Sequence, residues 1–336
     1  MRRISLTLLL FLVVSQTMGQ TQGRFSGHVM GDYYYVARDH RPELVNRNGF
    51  WIRRVHLTYD RDLSADFSAR LRLEMSQPGD FTSGIATPFL KDAYLRWSRG
   101  QHQLYLGISP SPTWQITQTF WGYRMVEKTP LDLQKMGDGR DFGLAAKGAL
   151  GRGRHFSYHI MVGNGDGHRA PRSSGKKAMA SLAYWPSEQV VAEVYGDFSH
   201  HTVDTADWYT FQAFVGMQSR EVRAGALWAR QIRKSEESQT RLELVSGFAV
   251  LGLAEKWHAL ARIDHLFTAN PNGELVNYLP FDPATPFDLA ILGIDFSPNR
   301  SVHLVPNLEL VIYRNGASRQ LRPKDLMLRW TFYFEL

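Results

Sequence analysis

The sequence predicts an all-β chain: a transmembrane antiparallel β-barrel of about sixteen strands, with a long third outer loop folded into the lumen. Three observations predict it. Apolar and polar side chains alternate at a period of two from residue 25 to the end, helical periodicity is nearly absent, and short connections alternate with long ones. A period of two places successive side chains on opposite faces of a strand, so every segment acquires one apolar and one polar face.

The first residues read as an export signal. Arg2 and Arg3 precede the apolar run 4–14, and Thr17, Met18 and Gly19 offer small or permissive residues for cleavage, giving an expected signal peptide at 1–19. A spanning helix needs about 20 consecutive apolar residues, and no stretch reaches that length. The remainder, residues 20–336, is expected to form a single outer-membrane barrel, with 110–140 as a candidate constriction loop.

Composition excludes several classes. Cysteine is absent, which removes disulfides, thiolate metal sites and cysteine nucleophiles. The formal charge is +7, or +5 without Arg2 and Arg3, and it is dispersed rather than gathered in runs, so nucleic acid is not an expected partner.

The alternation is clearest in DFSARLRLEM, where Phe67, Ala69, Leu71, Leu73 and Met75 oppose Ser68, Arg70, Arg72 and Glu74. WIRRVHLTYD sets Val55, Leu57 and Tyr59 against Arg54, His56, Thr58 and Asp60, and KDAYLRW sets Ala93, Leu95 and Trp97 against Asp92, Tyr94 and Arg96. Further along, Val190, Ala192 and Val194 oppose Glu193, Tyr195 and Asp197, and Trp257, Ala259, Ala261 and Ile263 oppose His258, Arg262 and Asp264. Segments near 141–150 and 242–250 fit either register. Trp51, Tyr59, Trp97, Trp185, Trp228, Trp257 and Trp330 lie near strand ends and suit interfacial aromatic belts.

Short connections at 61–65, 98–101, 151–154, 186–188 and 219–220 alternate with longer ones at 38–48, 76–90, 110–140, 164–176 and 267–286. This is the order of a membrane barrel with short turns on one side and long loops on the other; a soluble sandwich has no reason to keep it. Sixteen strands enclose a lumen too wide for side chains to fill, so an aqueous channel follows unless a loop enters. The connection 110–140 carries Trp114, Phe120, Trp121 and Tyr123, too aromatic for a tether. Folded inward, it brings Arg124, Glu127, Lys128, Asp132 and Lys135 to the narrowest point.

The final segment, LMLRWTFYFEL at 326–336, turns Leu328, Trp330, Phe332, Phe334 and Leu336 toward lipid and Arg329, Thr331, Tyr333 and Glu335 toward water. Its free edge is expected to pair with the first strand, around 25–35, leaving no open edge. It is similar to the terminal signal read by the barrel assembly machinery, although the last residue is Leu336 rather than an aromatic.

On this register the inward bases are Arg54, Arg70, Arg72, Arg96, Lys147, Arg223, Arg262 and Arg329. The inward acids are Asp60, Glu74, Asp92, Glu193, Asp197, Glu243, Asp264, Glu309 and Glu335, so the two signs roughly balance. Arg54, Arg70, Arg72 and Arg96 come from three consecutive strands and form one basic patch, which Glu127 or Asp132 of the third loop could face across the pore. Opposed charges of that kind set up a transverse field favouring polar solutes.

GFWIRRVHLTYDRDLSADFSARLRLE (49–74), FLKDAYLRW (89–97) followed by LGISPSP, and GDGRDFGL (137–144) leading to FSYHIMVGNGDG (156–167) resemble, in this order, the phosphate-selective porin O and P family of outer-membrane channels. The resemblance covers roughly the first half of the chain. It implies a trimeric, water-filled porin with an infolded third loop, passing small hydrophilic or anionic solutes, phosphate among them, without an energy source. The implied partners are outer-membrane lipid, the solutes and two further copies of the chain.

No catalytic residue, metal site or cofactor is expected. GxSxG, HExxH and a Gly-rich phosphate loop are all missing. His200 and His201, beside Asp204 and Asp207, lack ligand spacing, and NGDG at 164–167 lacks the carboxylate pattern of a calcium loop. A barrel enzyme of phospholipase or protease type, and a structural or adhesive barrel, stand as the other readings.

Overall fold

Each alternating segment becomes a strand, and antiparallel pairing of every strand with its neighbours in sequence closes the sheet on itself. The computed structural model describes residues 23–336 except 83, 152, 172, 202–205 and 315–323; the expected signal peptide lies outside the described residues. The first strands are β1 (Arg24–Arg38), β2 (Asn48–Asp62), β3 (Phe67–Ser76) and β4 (Thr87–Arg99). They are followed by β5 (His102–Pro110), β6 (Arg140–Leu150), β7 (Phe156–Gly163) and β8 (Lys177–Ser187). Then come β9 (Val190–His201), β10 (Ala206–Gln218), β11 (Val222–Lys234) and β12 (Gln239–Ala254). The barrel ends with β13 (Trp257–Leu266), β14 (Phe287–Asn299), β15 (Val302–Tyr313) and β16 (Asp325–Glu335).

Closure joins β16 to β1, with Trp330 opposite Tyr33 and Leu328 opposite Tyr35, so no strand edge is left open. Turns such as 100–101, 188–189 and 255–256 lie at one end, and loops such as 39–47, 77–86, 111–139 and 267–286 lie at the other. The connection 235–238 is as short as a turn despite lying at the loop end.

The outward face is apolar and exposed, with Leu71, Leu106, Leu144, Val162, Val194, Val215 and Ile263 all open to the surroundings. Such a band is costly in water and suited to hydrocarbon, where a closed sheet satisfies every backbone group internally. Among the described residues, no helix is long and apolar enough to cross a membrane.

Strict register breaks at several places, and two of these shape the charged wall. Met30 pairs with Arg54 while Gly31 pairs with Ile52, leaving Arg53 as an extra residue on β2. Arg72 pairs with Asp92 while Leu73 pairs with Leu90, leaving Lys91 extra on β4. Each is a β-bulge, and each turns two consecutive residues inward. The first also corrects the aromatic belt: Trp51 faces the lumen, buried, with Nε1 donating to Asp32 at 2.8 Å. Trp185 is inward too, donating to Ser157 at 3.0 Å.

The register of β12 differs from expectation. Leu242, Leu244, Ser246, Phe248 and Val250 point inward and are buried, so Glu243 lies on the outer face. There it accepts from Arg230 at 2.8 Å, Arg241 at 2.7 Å and Trp228 at 3.1 Å. The cause lies inside: this stretch of wall meets a loop rather than water, so its inner face is the apolar one.

Candidate functional site

The third loop, residues 111–139, carries two short helices, α1 (Gln115–Trp121) and α2 (Pro130–Leu133). Helix α1 ends on Gly122 in the left-handed region, φ 67°, where a Cβ would meet the Arg223 guanidinium at 2.5 Å. The apolar side chains of this loop are buried against the inner wall. Phe120 meets Phe214 at 5.7 Å between ring centroids, Trp121 meets Phe248 at 5.4 Å, and Leu131, Leu133 and Met136 share a core with Leu244, Phe287 and Ile291. Burying a large apolar side chain stabilises by roughly 1.5–3 kcal/mol, so the nine buried ones of this loop hold it firmly.

Polar clamps fix its register. Arg53 Nη2 donates to Glu127 at 2.9 Å and Nη1 donates to the Val126 carbonyl at 2.6 Å. Arg262 bonds the Lys128 carbonyl and Asp264, with its guanidinium 5.4 Å from the Trp121 ring centroid. Tyr123 donates to Asp295 at 2.9 Å, Gln231 to the Met136 carbonyl at 2.7 Å, and Arg233 to the Lys135 carbonyl at 3.0 Å. Beneath the clamp, Arg329 donates to Asp32 at 2.7 Å and to Glu309 at 3.0 Å, all fully buried.

A second loop shares this interior. In 267–286, Val276, Leu279 and Phe281 are buried, Asn270 donates to the Gln134 carbonyl at 3.0 Å, and Tyr278 donates to the Gln77 carbonyl at 2.6 Å. Together the two loops cover much of the inner wall of β10–β16, and the open space runs along the opposite wall and meets β11–β16 at residues such as Arg223, Val250, His258 and His303.

That space is a cavity of about 700 Å³. Its lining reaches from Asp138 and His168 at the loop end to Glu221 and Glu335 at the turn end. Its bases are Arg54, Arg72, Lys91 and Arg140 on the wall, Arg124 and Lys128 on the third loop, and Arg220 and Arg223 by the β10–β11 turn; its lining carboxylates are Asp132, Asp138, Glu221, Asp295 and Glu335. The wall bases cluster over two buried carboxylates. Glu74 accepts from Arg54 at 2.9 Å and His56 at 2.7 Å and lies 3.2 Å from Lys91, while Asp92 pairs with Arg72 at 3.2 Å and with Arg140. On the loop, Arg124 pairs with Asp132. The bases of the wall and third loop thus number six, and the carboxylates paired with them are Glu74, Asp92 and Asp132, the first two buried.

Lys128 forms no ion pair among the described residues. Burial pushes its ammonium down to about 8, against the opposing pull of Asp132 and Glu127.

Of the expected site residues, the structure brings Arg54, Arg72, Arg124, Lys128 and Asp132 together at the cavity. Arg70 lies nearer the turn end, held by Asp60 at 2.7 Å, and Arg96 donates to Ser68 at 2.9 Å. Lys147 borders a separate, smaller cavity. Arg262, expected on the channel, is fully buried as a clamp because the loop lies over it. Glu127, expected to face the basic patch, is turned away onto Arg53. Lys135 lends its carbonyl to Arg233, and its side chain is not among those lining the cavity. Arg53, Lys91 and Arg140 were missed. For the first two the signal was present: Ile52-Arg53-Arg54-Val55 and Leu90-Lys91-Asp92-Ala93 each place two charged residues between apolar ones, where a period of two allows one.

No protein-family profile and no curated protein matches the sequence. Solved structures do match in fold. The anion-selective porin from Comamonas acidovorans superposes with TM-score 0.67 at 12% identity, covering 94% of this chain and 99% of that one. OmpF of Salmonella typhi, in complex with daunomycin, gives 0.64 at 9% identity over 94% and 97%. OmpT of Vibrio cholerae, an outer membrane protein in its trimer form, gives 0.62 at 9% over 94% and 99%. The chain therefore has the sixteen-stranded closed barrel fold of bacterial outer-membrane porins.

Proposed function

We propose that this protein is a passive porin of the bacterial outer membrane, conducting small hydrophilic solutes with a preference for anions. The observation that carries the reading is the group of six bases on the wall and third loop of the cavity, paired with three carboxylates of which two are buried. In a narrow path between low-dielectric walls, a net positive lining raises the local anion concentration and repels cations. Position supports the reading: Asp264 and Glu309 sit under the loop together with Arg262 and Arg329, and Glu243 is outside the barrel.

Phosphate is the finer reading, motivated by the resemblance of the first half of the chain and by guanidiniums at Arg54, Arg72, Arg124 and Arg140, which suit oxyanion geometry. Homotrimeric assembly is proposed from the same resemblance and from the trimeric OmpT structure. A planar bilayer holding the purified protein, with chloride, phosphate and a neutral sugar compared, tests the reading. Ohmic steps with a zero-current potential of anion sign are expected; a non-conducting barrel that hydrolyses lipid or peptide overturns it.

A further inference from the structure

A second cavity, of about 350 Å³, lies between α1 and the inner wall of β5–β9 near the turn end. It is separate from the six bases of the main path. Four inward residues on successive strands cross its back: Lys147 on β6 is opposite His159 on β7, which is opposite Ser181 on β8, and Ser181 bonds Glu193 on β9. With strands about 4.8 Å apart, Lys147 and Glu193 stand three strand steps apart at opposite ends of the row.

The two ends are a base and an acid, and neither has an ion-pair partner among the described residues. Glu193 is 2% exposed; one carboxylate oxygen accepts from Ser181, and the other has no partner. Lys147 has no carboxylate partner among the described residues and lies 5.0 Å from the Tyr105 ring centroid. Trp185 and Ile116 border the space between with apolar surface. An orphaned buried carboxylate oxygen is expensive unless something donates to it. The volume is at the small end of the roughly 300–1,000 Å³ typical of ligand sites.

We infer that this side cavity binds a small zwitterion of the α-amino-acid class, its ammonium donating to Glu193 and its carboxylate held by Lys147 and His159, with the side chain against Trp185. A simple anion would satisfy Lys147 and meet Glu193, and a simple cation would do the reverse, so neither fits both ends. The site is distinct from the main path and does not depend on that path preferring anions.

Trp185 supplies a readout independent of conduction. L-alanine, acetate and methylammonium are titrated into the folded full-length protein up to about 100 mM, beyond the millimolar range where weak sites saturate. The tryptophan fluorescence of the unmodified protein is compared with that of Trp185→Phe. A saturable change with L-alanine, lost in Trp185→Phe and weakened at least tenfold in Glu193→Gln and in Lys147→Gln, is expected; acetate and methylammonium should bind at least tenfold more weakly. Because the two charge variants sit on different strands, either one that folds carries the test. No saturable change, an equal response to acetate or methylammonium, or an unweakened response in a folded charge variant would overturn the assignment and leave a cavity filled with water.

Discussion

The wall of β1–β6 and the wall of β10–β16 follow the same alternation yet present opposite interiors. On the first, inward positions carry Arg54, His56, Arg72 and Lys91, which border open space, with Glu74 and Asp92 buried behind them. On the second they carry Phe214, Leu227, Leu244, Phe248, Leu289 and Ile291, buried under the third loop. The difference teaches that a wide barrel need not be polar throughout its lumen. One wall serves as the floor of a small hydrophobic core, and the path is pushed against the other, where charge is concentrated. The two are joined at Arg53, which the β2 bulge turns inward to hold the loop while Arg54 beside it faces the path.

The largest effect should come from breaking that joint. Glu127→Ala leaves Arg53 buried without its closest carboxylate, at a cost of about 3–5 kcal/mol for a broken buried pair. The loop should lift, single-channel conductance should rise, and protease should gain access within 111–139. Unchanged conductance and protection would mean that the apolar contacts alone fix the loop.

A smaller effect separates residues along the charged wall. Arg72→Gln removes a cavity base and should shift the zero-current potential toward cations, whereas Arg70→Gln, at a residue nearer the turn end that does not line the cavity, should shift it less. Equal shifts would place the narrow region nearer the turn end.

Smaller again is the contribution of Lys128 on the loop side. Free lysine titrates near 10.4, and burial pushes this one down to about 8, so its charge is present at pH 7 and lost as pH rises through that value. Anion preference should decline between pH 7 and about 9, and the decline should be smaller in Lys128→Gln. An undiminished decline in the variant would assign the titration elsewhere. The smallest effect is expected at Glu243, on the outer face: Glu243→Gln should leave ion preference unchanged, and a shift comparable to that of Arg72→Gln would return this residue to the lumen.

Much of the barrel was legible because a period of two survives in most segments and turn chemistry marks their ends. What stayed hidden has definite physical causes. A bulge adds one residue without changing composition, so Arg53 and Lys91 were visible only as doublets of charge. In β12, Leu242 and Leu244 alternate with Arg241 and Glu243 as clearly as in any lipid-facing strand, but the apolar side faces the loop. Alternation reports that two faces differ; which face is wet depends on what lies inside, and that is decided by the distant residues 111–139. The aromatic content of that loop hinted at packing, while the inward course of 267–286 left no comparable mark.

The most direct test of the central claim is the zero-current potential of the purified channel across a potassium chloride gradient, measured for the unmodified protein and for Lys91→Glu. The wall bases predict a potential of anion sign that moves markedly toward cations in the variant, because the substitution turns a base into an acid beside Glu74. A cation-signed or zero potential in the unmodified channel, or no movement in the variant, would contradict the assignment of selectivity to this wall.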